Sequence, residues 1–257
     1  MADEILCEIS DGVATLTLNR PEKRNAMNSA VLDGLRQYFD ELEEHRDVRA
    51  VVVRGAGKAF CSGMDLNEMG RKQREAADPE TGVTAVLQHI ERSRHPTIAL
   101  IHGDAYAGGC ELALHCDLRV AADVVRFAMP LARIGLVVPF PLGMKLVEVV
   151  GPAAAREILL TGRPIDARRA LEIGMVHRVV PAAEVEAVTY EMARAIADNA
   201  PLSLAGMKAM IRRAISARER IDHADLDVEV TRARRSADAR EGVRAMLEKR
   251  RPNFTGE

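Results

Sequence analysis

Apolar and polar positions change their period several times along the chain. From residue 4 to 18 they alternate around Asp11-Gly12, which predicts a hairpin. Asn28 or Ser29 can cap a helix running to about His45. A short β-branched run over 50–54 predicts a strand, followed by a glycine-containing loop and a short helix at 62–70. A polar stretch over 70–82 comes next, then a helix at 83–93, a strand at 97–101, a helix at 108–115 and a strand at 117–121. Strands alternating with helices predict parallel βαβ units. From 141 onward the pattern is almost wholly helical, with helices near 183–199, 202–217, 221–236 and 239–249. The exception is a short strand from Met175 to Val180, ended by Pro181.

Two of these strands end in the same way. Thr97 to Ile101 runs into small residues and the pair Gly108-Gly109, then into a helix with Glu111 in its first turn. Ala50 to Arg54 runs into Gly55-Ala-Gly-Lys-Ala-Phe-Cys-Ser-Gly-Met-Asp-Leu66. Glycine admits close approach to the backbone, and a helix N-terminus offers unpaired N–H groups at a positive dipole end. Two such strand ends can converge on one carbonyl oxygen, and each N–H aimed at a developing oxyanion contributes roughly 2.7–4 kcal/mol. The alternative for the glycine pair is close helix packing alone. For Glu111 it is a solvated carboxylate favoured by the helix dipole.

Composition narrows the classes. The 257 residues suit one large domain, or one domain with a helical appendage. With 47% hydrophobic residues, 3% aromatic and no Trp, the core must come from Ala, Val, Leu, Ile and Met. A net charge of −2 argues against a general nucleic-acid surface, and the C-terminal arginines are interleaved with acids. No basic and apolar leader opens the sequence and no apolar run reaches membrane length, so a cytoplasmic protein without a membrane span is expected. Cys7, Cys61, Cys110 and Cys116 form no zinc spacing; they read as reduced thiols, or else Cys61 or Cys110 is a nucleophile. The seven histidines give no metal spacing, and His102 and His115 read as packed or capping residues. No bound metal is expected.

The motifs Asn19-Arg-Pro-Glu-Lys-Arg-Asn-Ala-Met-Asn28, Lys58-Ala-Phe-Cys-Ser-Gly-Met-Asp-Leu66 and Gly103-Asp-Ala-Tyr-Ala-Gly-Gly-Cys-Glu111 resemble the crotonase (enoyl-CoA hydratase/isomerase) superfamily. So do Gly162-Arg-Pro-Ile-Asp through Val176 and the ending Lys249-Arg-Arg-Pro-Asn-Phe254. The resemblance spans about residues 4–254. It implies an α/β fold of repeated ββα units in two roughly perpendicular sheets, followed by a C-terminal helical region. Its division here is a core at 1–195 and an oligomerisation region at 196–257, which would build a homotrimer or a dimer of trimers. The tail could also merely cover the core.

The resemblance implies an acyl-CoA thioester substrate, no separate cofactor, and a carbonyl held by the N–H groups of Met64 and Gly108. Glu111 aligns with the first catalytic glutamate of the hydratases. The second should follow the proline of Phe127-Ala-Met-Pro-Leu, and that position is Leu131. Arg133, two residues on, reads as a surface residue. The loop Gly135-Leu-Val-Val-Pro-Phe-Pro-Leu-Gly143 looks more like that of mitochondrial-type Δ3,Δ2-enoyl-CoA isomerases, whose single glutamate occupies the position of Leu131. Pro139, Phe140, Pro141 and Leu142 would make an apolar acyl pocket, or an ordinary packed loop. Arg24 lies where the family contacts the CoA phosphates, and Ala26, Lys58, Ala59, Asp65 and Leu66 match the adenine-pocket stretch. Phe254 matches an aromatic that approaches CoA from a neighbouring chain. Segment 70–82 is a candidate lid. Single-carboxylate isomerisation, or hydration with altered proton handling, ranks ahead of decarboxylation or thioester hydrolysis. A catalytically weak acyl-CoA-binding or scaffold relative is the alternative.

Overall fold

The computed structural model describes residues 4–68, 79–215 and 221–256. The hairpin forms from β1 (Ile5–Ser10) and β2 (Val13–Leu18), antiparallel from Ile5↔Leu18 to Ser10↔Val13. Asp11 and Gly12 take φ of +50° and +75° at its turn. Two consecutive residues at positive φ are what a tight turn between right-twisted strands requires. Asn28 accepts the N–H of Val31 and so starts α1 (Ser29–Glu44). This helix buries one stripe, Val31, Leu32, Leu35, Phe39 and Leu42. Burial of a side chain such as Phe39 contributes roughly 1.5–3 kcal/mol.

The strands β3 (Ala50–Gly55), β4 (Thr97–Ile101), β6 (Leu118–Ala122) and β9 (Arg178–Val180) extend β2 in parallel, giving a six-stranded sheet ordered β1-β2-β3-β4-β6-β9. Helix α2 (Pro79–Arg92) connects β3 to β4, and α3 (Gly108–His115) leads to β6. Every residue of β4 is buried, as expected of a central parallel strand covered on both faces. The second sheet is small: β5 (Ala105–Tyr106), β7 (Arg126–Ala128) and β8 (Ile165–Asp166).

Helix α4 (Phe140–Thr161) breaks at Gly151 (φ +73°) before Pro152, whose ring cannot continue the hydrogen-bond ladder. After α5 (Ala167–Glu172) come α6 (Val185–Ala197), α7 (Pro201–Ile215), α8 (Ala224–Arg235) and α9 (Ala237–Leu247). Helix α9 lies against the 3₁₀ turn Leu131–Ile134 and forms a small apolar cluster with it, Ile134, Leu136 and Ala239. Helix α7 is anchored through Lys208, whose Nζ donates to Asp117 Oδ2 at 2.7 Å. That oxygen also accepts from Thr97 N and Oγ1 at 2.7 and 2.8 Å. Of the candidate lid, 70–78 lie outside the described residues, and 79–82 open α2. No helix among the described residues is long and apolar enough to cross a membrane.

Candidate active site

The loop after β3 and the loop after β4 are joined by backbone pairing. Tyr106 N donates to Cys61 O at 2.9 Å and Phe60 N to Asp104 O at 3.1 Å. Met27 bridges to Met64: Met27 N donates to Gly63 O and Asp65 N to Met27 O, each at 2.8 Å. That parallel register directs the N–H of Met64 away from Met27. Gly108 is the first residue of α3, so its N–H has no intrahelical acceptor. The two amides are neighbours. A Cβ built on Gly108 would stand 3.5 Å from Met64 N, and one on Gly63 (φ +96°) 3.1 Å from Gly108 N.

Ala107 sets the turn between β5 and α3 with φ +47° and ψ −118°, a conformation L residues rarely adopt. It is held by Ala107 N donating to Ala128 O at 2.7 Å and by Ala107 O accepting from Glu111 N at 3.2 Å. Strain of this kind costs about 1–3 kcal/mol and persists only where the surroundings enforce it.

Met64, Gly108 and Glu111 share one cavity of about 390 Å³. Its other walls are largely apolar and include Leu66, Val83, Leu131, Val138, Pro139 and Leu142. Lys23, Arg24 and Ala26 stand along it too. Glu111 is 1% exposed, and neither carboxylate oxygen has a hydrogen-bond partner among the described residues. Burial pushes its pKa well above the usual carboxylate range, and Lys145 partly opposes the shift. The other carboxylate on the described cavity wall, Asp65, is engaged: its Oδ2 pairs with Arg20 at 3.1 Å and its Oδ1 accepts from Asn67 N at 3.1 Å. Leu131 supplies no second acid.

The structure therefore brings Glu111, Met64, Gly108, Arg24, Ala26, Asp65, Leu66, Leu131 and Pro139 together. It does not bring Phe140, Lys58, Ala59 or Phe254 to the same wall. Phe140 turns the other way and stacks on His223 with ring centroids 4.8 Å apart, beside a different cavity. Ala59 directs its carbonyl to buried Asn25, whose Nδ2 donates to it at 2.8 Å. The carbonyl of Lys58 packs against Gly103, where a Cβ would lie 2.1 Å away. Phe254 is exposed. Arg133 is a surface residue, as expected. His102 meets Gly57 O at 3.0 Å and His115 meets Glu111 O at 2.8 Å, both packed as expected. Burial pushes the Cys61 thiol up to about 12 and raises Cys110 too, which removes the thiolate a nucleophile needs.

Tyr106, Ala107, Met246 and Leu247 are among the wall residues that escaped sequence reasoning. Tyr106 and Ala107 lie inside a recognised motif, and alternation from buried Ala105 would have placed Tyr106 on the open side. Met246 and Leu247 come from α9, more than 130 residues from Glu111 in sequence, and carry no local signal.

Two adjacent amides that share an apolar cavity with a buried carboxylate suit an enzyme that holds charge on a carbonyl oxygen while moving a proton nearby. The comparisons with known proteins agree with that class. The family model for enoyl-CoA hydratase/isomerase matches residues 8–257, and the chain belongs to this family. A probable enoyl-CoA hydratase of Mycobacterium tuberculosis (strain CDC 1551 / Oshkosh) is 33% identical over 262 residues, covering 98% of each chain. The 1,2-epoxyphenylacetyl-CoA isomerase of Escherichia coli (strain K12) is 33% identical over 266 residues, covering 100% of each. A solved methylmalonyl-CoA decarboxylase, complexed with 2S-carboxypropyl-CoA, superimposes with a TM-score of 0.90 at 27% identity over 100% of both chains. The two sheets with C-terminal helices are the crotonase fold.

Proposed function

We propose that this protein acts on acyl-CoA thioesters, with the N–H groups of Met64 and Gly108 as the oxyanion hole and Glu111 as the single proton carrier. The observation that carries the reading is Glu111 itself. It is a buried carboxylate with no hydrogen-bond partner among the described residues, on the wall of an apolar cavity that also holds both amides. Burial raises its pKa from the usual carboxylate range, the direction that suits a group that takes a proton and returns it.

Double-bond isomerisation fits one carboxylate best. Glu111 removes a proton from the carbon next to the thioester carbonyl of a 3-enoyl chain. The electron pair passes to the carbonyl oxygen, held by the two N–H donors. The same carboxyl then returns the proton at the far carbon, giving the 2-enoyl isomer. Hydration would need Glu111 to handle both the water and the proton, because Leu131 stands where the partner glutamate is expected. Coenzyme A belongs to the substrate, and no further cofactor is required. Arg24, at the cavity mouth, is suited to the CoA phosphates. The exposed apolar residues of α7, Leu202, Met207, Met210 and Ile211, suit a homotrimer or a dimer of trimers, and a cytoplasmic setting suits the substrate.

The likeness to the methylmalonyl-CoA decarboxylase supports a second reading. There, carbon dioxide leaves from the α-carbon, the same amides hold the enolate, and a proton is delivered to that carbon.

The test is crotonyl-CoA hydration, 3-hexenoyl-CoA isomerisation and methylmalonyl-CoA decarboxylation, side by side, for wild type and Leu131→Glu. Isomerisation by wild type with poor hydration, and hydration gained by Leu131→Glu, is the expected result. Efficient hydration by wild type would overturn the single-carboxylate reading. Turnover of methylmalonyl-CoA alone would favour the second. Saturable thioester binding with no turnover of any substrate would make the protein a non-catalytic relative.

A further inference from the structure

We propose that the protein carries a second ligand site, a basic cavity at the end of the main sheet opposite the substrate cavity, which takes a phosphate group borne on an apolar or planar body. The inference stands apart from the acyl-CoA reading above and does not need it.

Strand polarity fixes the position. Gly55 and Ile101 end β3 and β4 beside the two oxyanion loops, whereas Arg49 and Pro96 precede the same strands. Strands of six and five residues separate the two ends by roughly 16–20 Å. At the far end, three segments enclose a cavity of about 360 Å³, within the range of roughly 300–1,000 Å³ usual for small-molecule sites. They are the turn after α1, the turn before β4 and the start of α7. Contacts of the chain itself set these walls. Arg49 N donates to Gly12 O at 2.7 Å, and Val48 N to His45 O at 3.3 Å. His95 Nε2 meets Leu42 O at 2.9 Å, and Lys208 Nζ donates to His95 O at 2.9 Å, which joins α7 to the turn before β4.

The charge of this cavity is one-sided. Arg46, Arg49 and Arg94 line it, and its described walls include no carboxylate. Arg94 is held by Glu43, which accepts from its backbone N–H at 2.8 Å and stands 3.7 Å from its Nε. Arg46 and Arg49, with Asp47 between them in sequence, have no ion pair and no side-chain hydrogen bond among the described residues. His95 is 5% exposed and burial lowers its pKa, so it adds no charge near neutrality. The first turn of α7 carries no acidic residue to offset the charge from that side. One exposed arginine is simply solvated. Several guanidinium groups lining one concavity repel one another, and an anion in the space offsets that repulsion. The planar fork of each guanidinium matches the oxygens of a phosphate. Val48, Pro96, Pro201 and Leu202 give the cavity an apolar side as well, which suits a phosphate ester better than a bare ion.

The test is calorimetric titration of the full-length protein with inorganic phosphate, pyrophosphate and adenosine monophosphate, at about 0.15 M salt. The monophosphate ester should bind more tightly than inorganic phosphate. Arg46→Ala and Arg49→Ala should each weaken it by about tenfold or more, the range of a lost charge-assisted hydrogen bond. Arg49→Lys, which keeps the charge but not the fork, should recover only part of the loss. Arg24→Ala, which removes a cation of the substrate cavity, should leave this binding intact. Without ligand, Arg46→Ala should not lower the unfolding midpoint, because that guanidinium holds nothing in the fold. Binding unchanged in Arg46→Ala and Arg49→Ala, or lost in Arg24→Ala, would overturn the proposal. So would binding that disappears at this salt concentration or that Arg36→Ala, on the exposed face of α1, weakens equally, since both mark general surface charge. If Arg49→Ala does not fold, Arg46→Ala, whose side chain is exposed, decides alone. None of these readouts uses thioester turnover, so failure of the acyl-CoA reading would leave them standing.

Discussion

A carboxylate that is 1% exposed and has no hydrogen-bond partner among the described residues is destabilising when ionised, and Glu111 should reveal that cost when replaced. Its pKa in the folded chain lies above the ordinary value of 4.5. Between those two values the unfolded chain binds fewer protons than the folded one, so stability falls as pH rises from about 4.5 until the folded carboxyl ionises. Glu111→Gln removes this dependence. The variant should melt higher than wild type, with a gain that grows with pH and vanishes near pH 4, measurable by calorimetry across pH 4–8. Its kcat on the thioester substrate should fall by roughly 10²–10⁴-fold, the range of a lost acid–base group. A variant that lost stability at pH 8, or kept full activity, would remove Glu111 from the centre of the site.

Elements expose a different constraint, the distance between the two glycine loops. A Cβ on Gly109 would lie 2.1 Å from Cys61 O, which is backbone and cannot move without shifting the Met64 amide three residues on. Gly206, in α7, has nothing within 4 Å of the same atom. Gly109→Ala should therefore lower stability and abolish turnover together. Gly206→Ala should raise stability by about 0.5–1 kcal/mol, the helix preference for alanine, with activity unchanged. Chemical denaturation of both variants, with one thioester assay, checks the pair. Elements with strong local signals were legible in the sequence: the Asp11-Gly12 turn, the Asn28 cap, the buried β4 run and α3 appear as read. The second sheet was expected only from the resemblance, because its strands of two or three residues leave no period to detect and are held by partners far along the chain. The direction of Phe140 was hidden for a related reason. It opens α4 beside Pro139, and only the arrival of His223 decides which cavity each residue faces.

At the scale of the molecule, the C-terminal helices were read as an assembly region, or as a cover for the core, and α9 lies on the 131–134 turn of its own chain and brings Met246 and Leu247 to the cavity that holds Glu111. Periodicity could announce a helix there but not its landing place, which depends on one close approach. A Cβ on Gly242 would lie 2.5 Å from the backbone of Ile134, so only glycine lets the helix down onto the 131–134 turn. Asp238 then ties the following segment, accepting from Thr255 N at 2.7 Å and Gly256 N at 2.9 Å. The main apolar core does not include α9, whose buried contact is the small cluster around Ala239. Gly242→Val should therefore lift α9 without unravelling the sheets. The cavity would lose two apolar wall residues and gain water, so KM for the thioester should rise by roughly tenfold, about the 1–3 kcal/mol of one lost apolar contact surface. kcat should change less, since Glu111 and the two amides sit on α3 and the glycine loops. Kinetics across acyl lengths, with the unfolding midpoint followed in parallel, checks this. A collapse of the midpoint would mean that α9 is integral to the main core. An unchanged KM would mean that the roof of the cavity lies elsewhere. A rise confined to acyl chains long enough to reach Met246 would show that the last helix, although remote in sequence from Glu111 and both amides, sets which thioesters the site accepts.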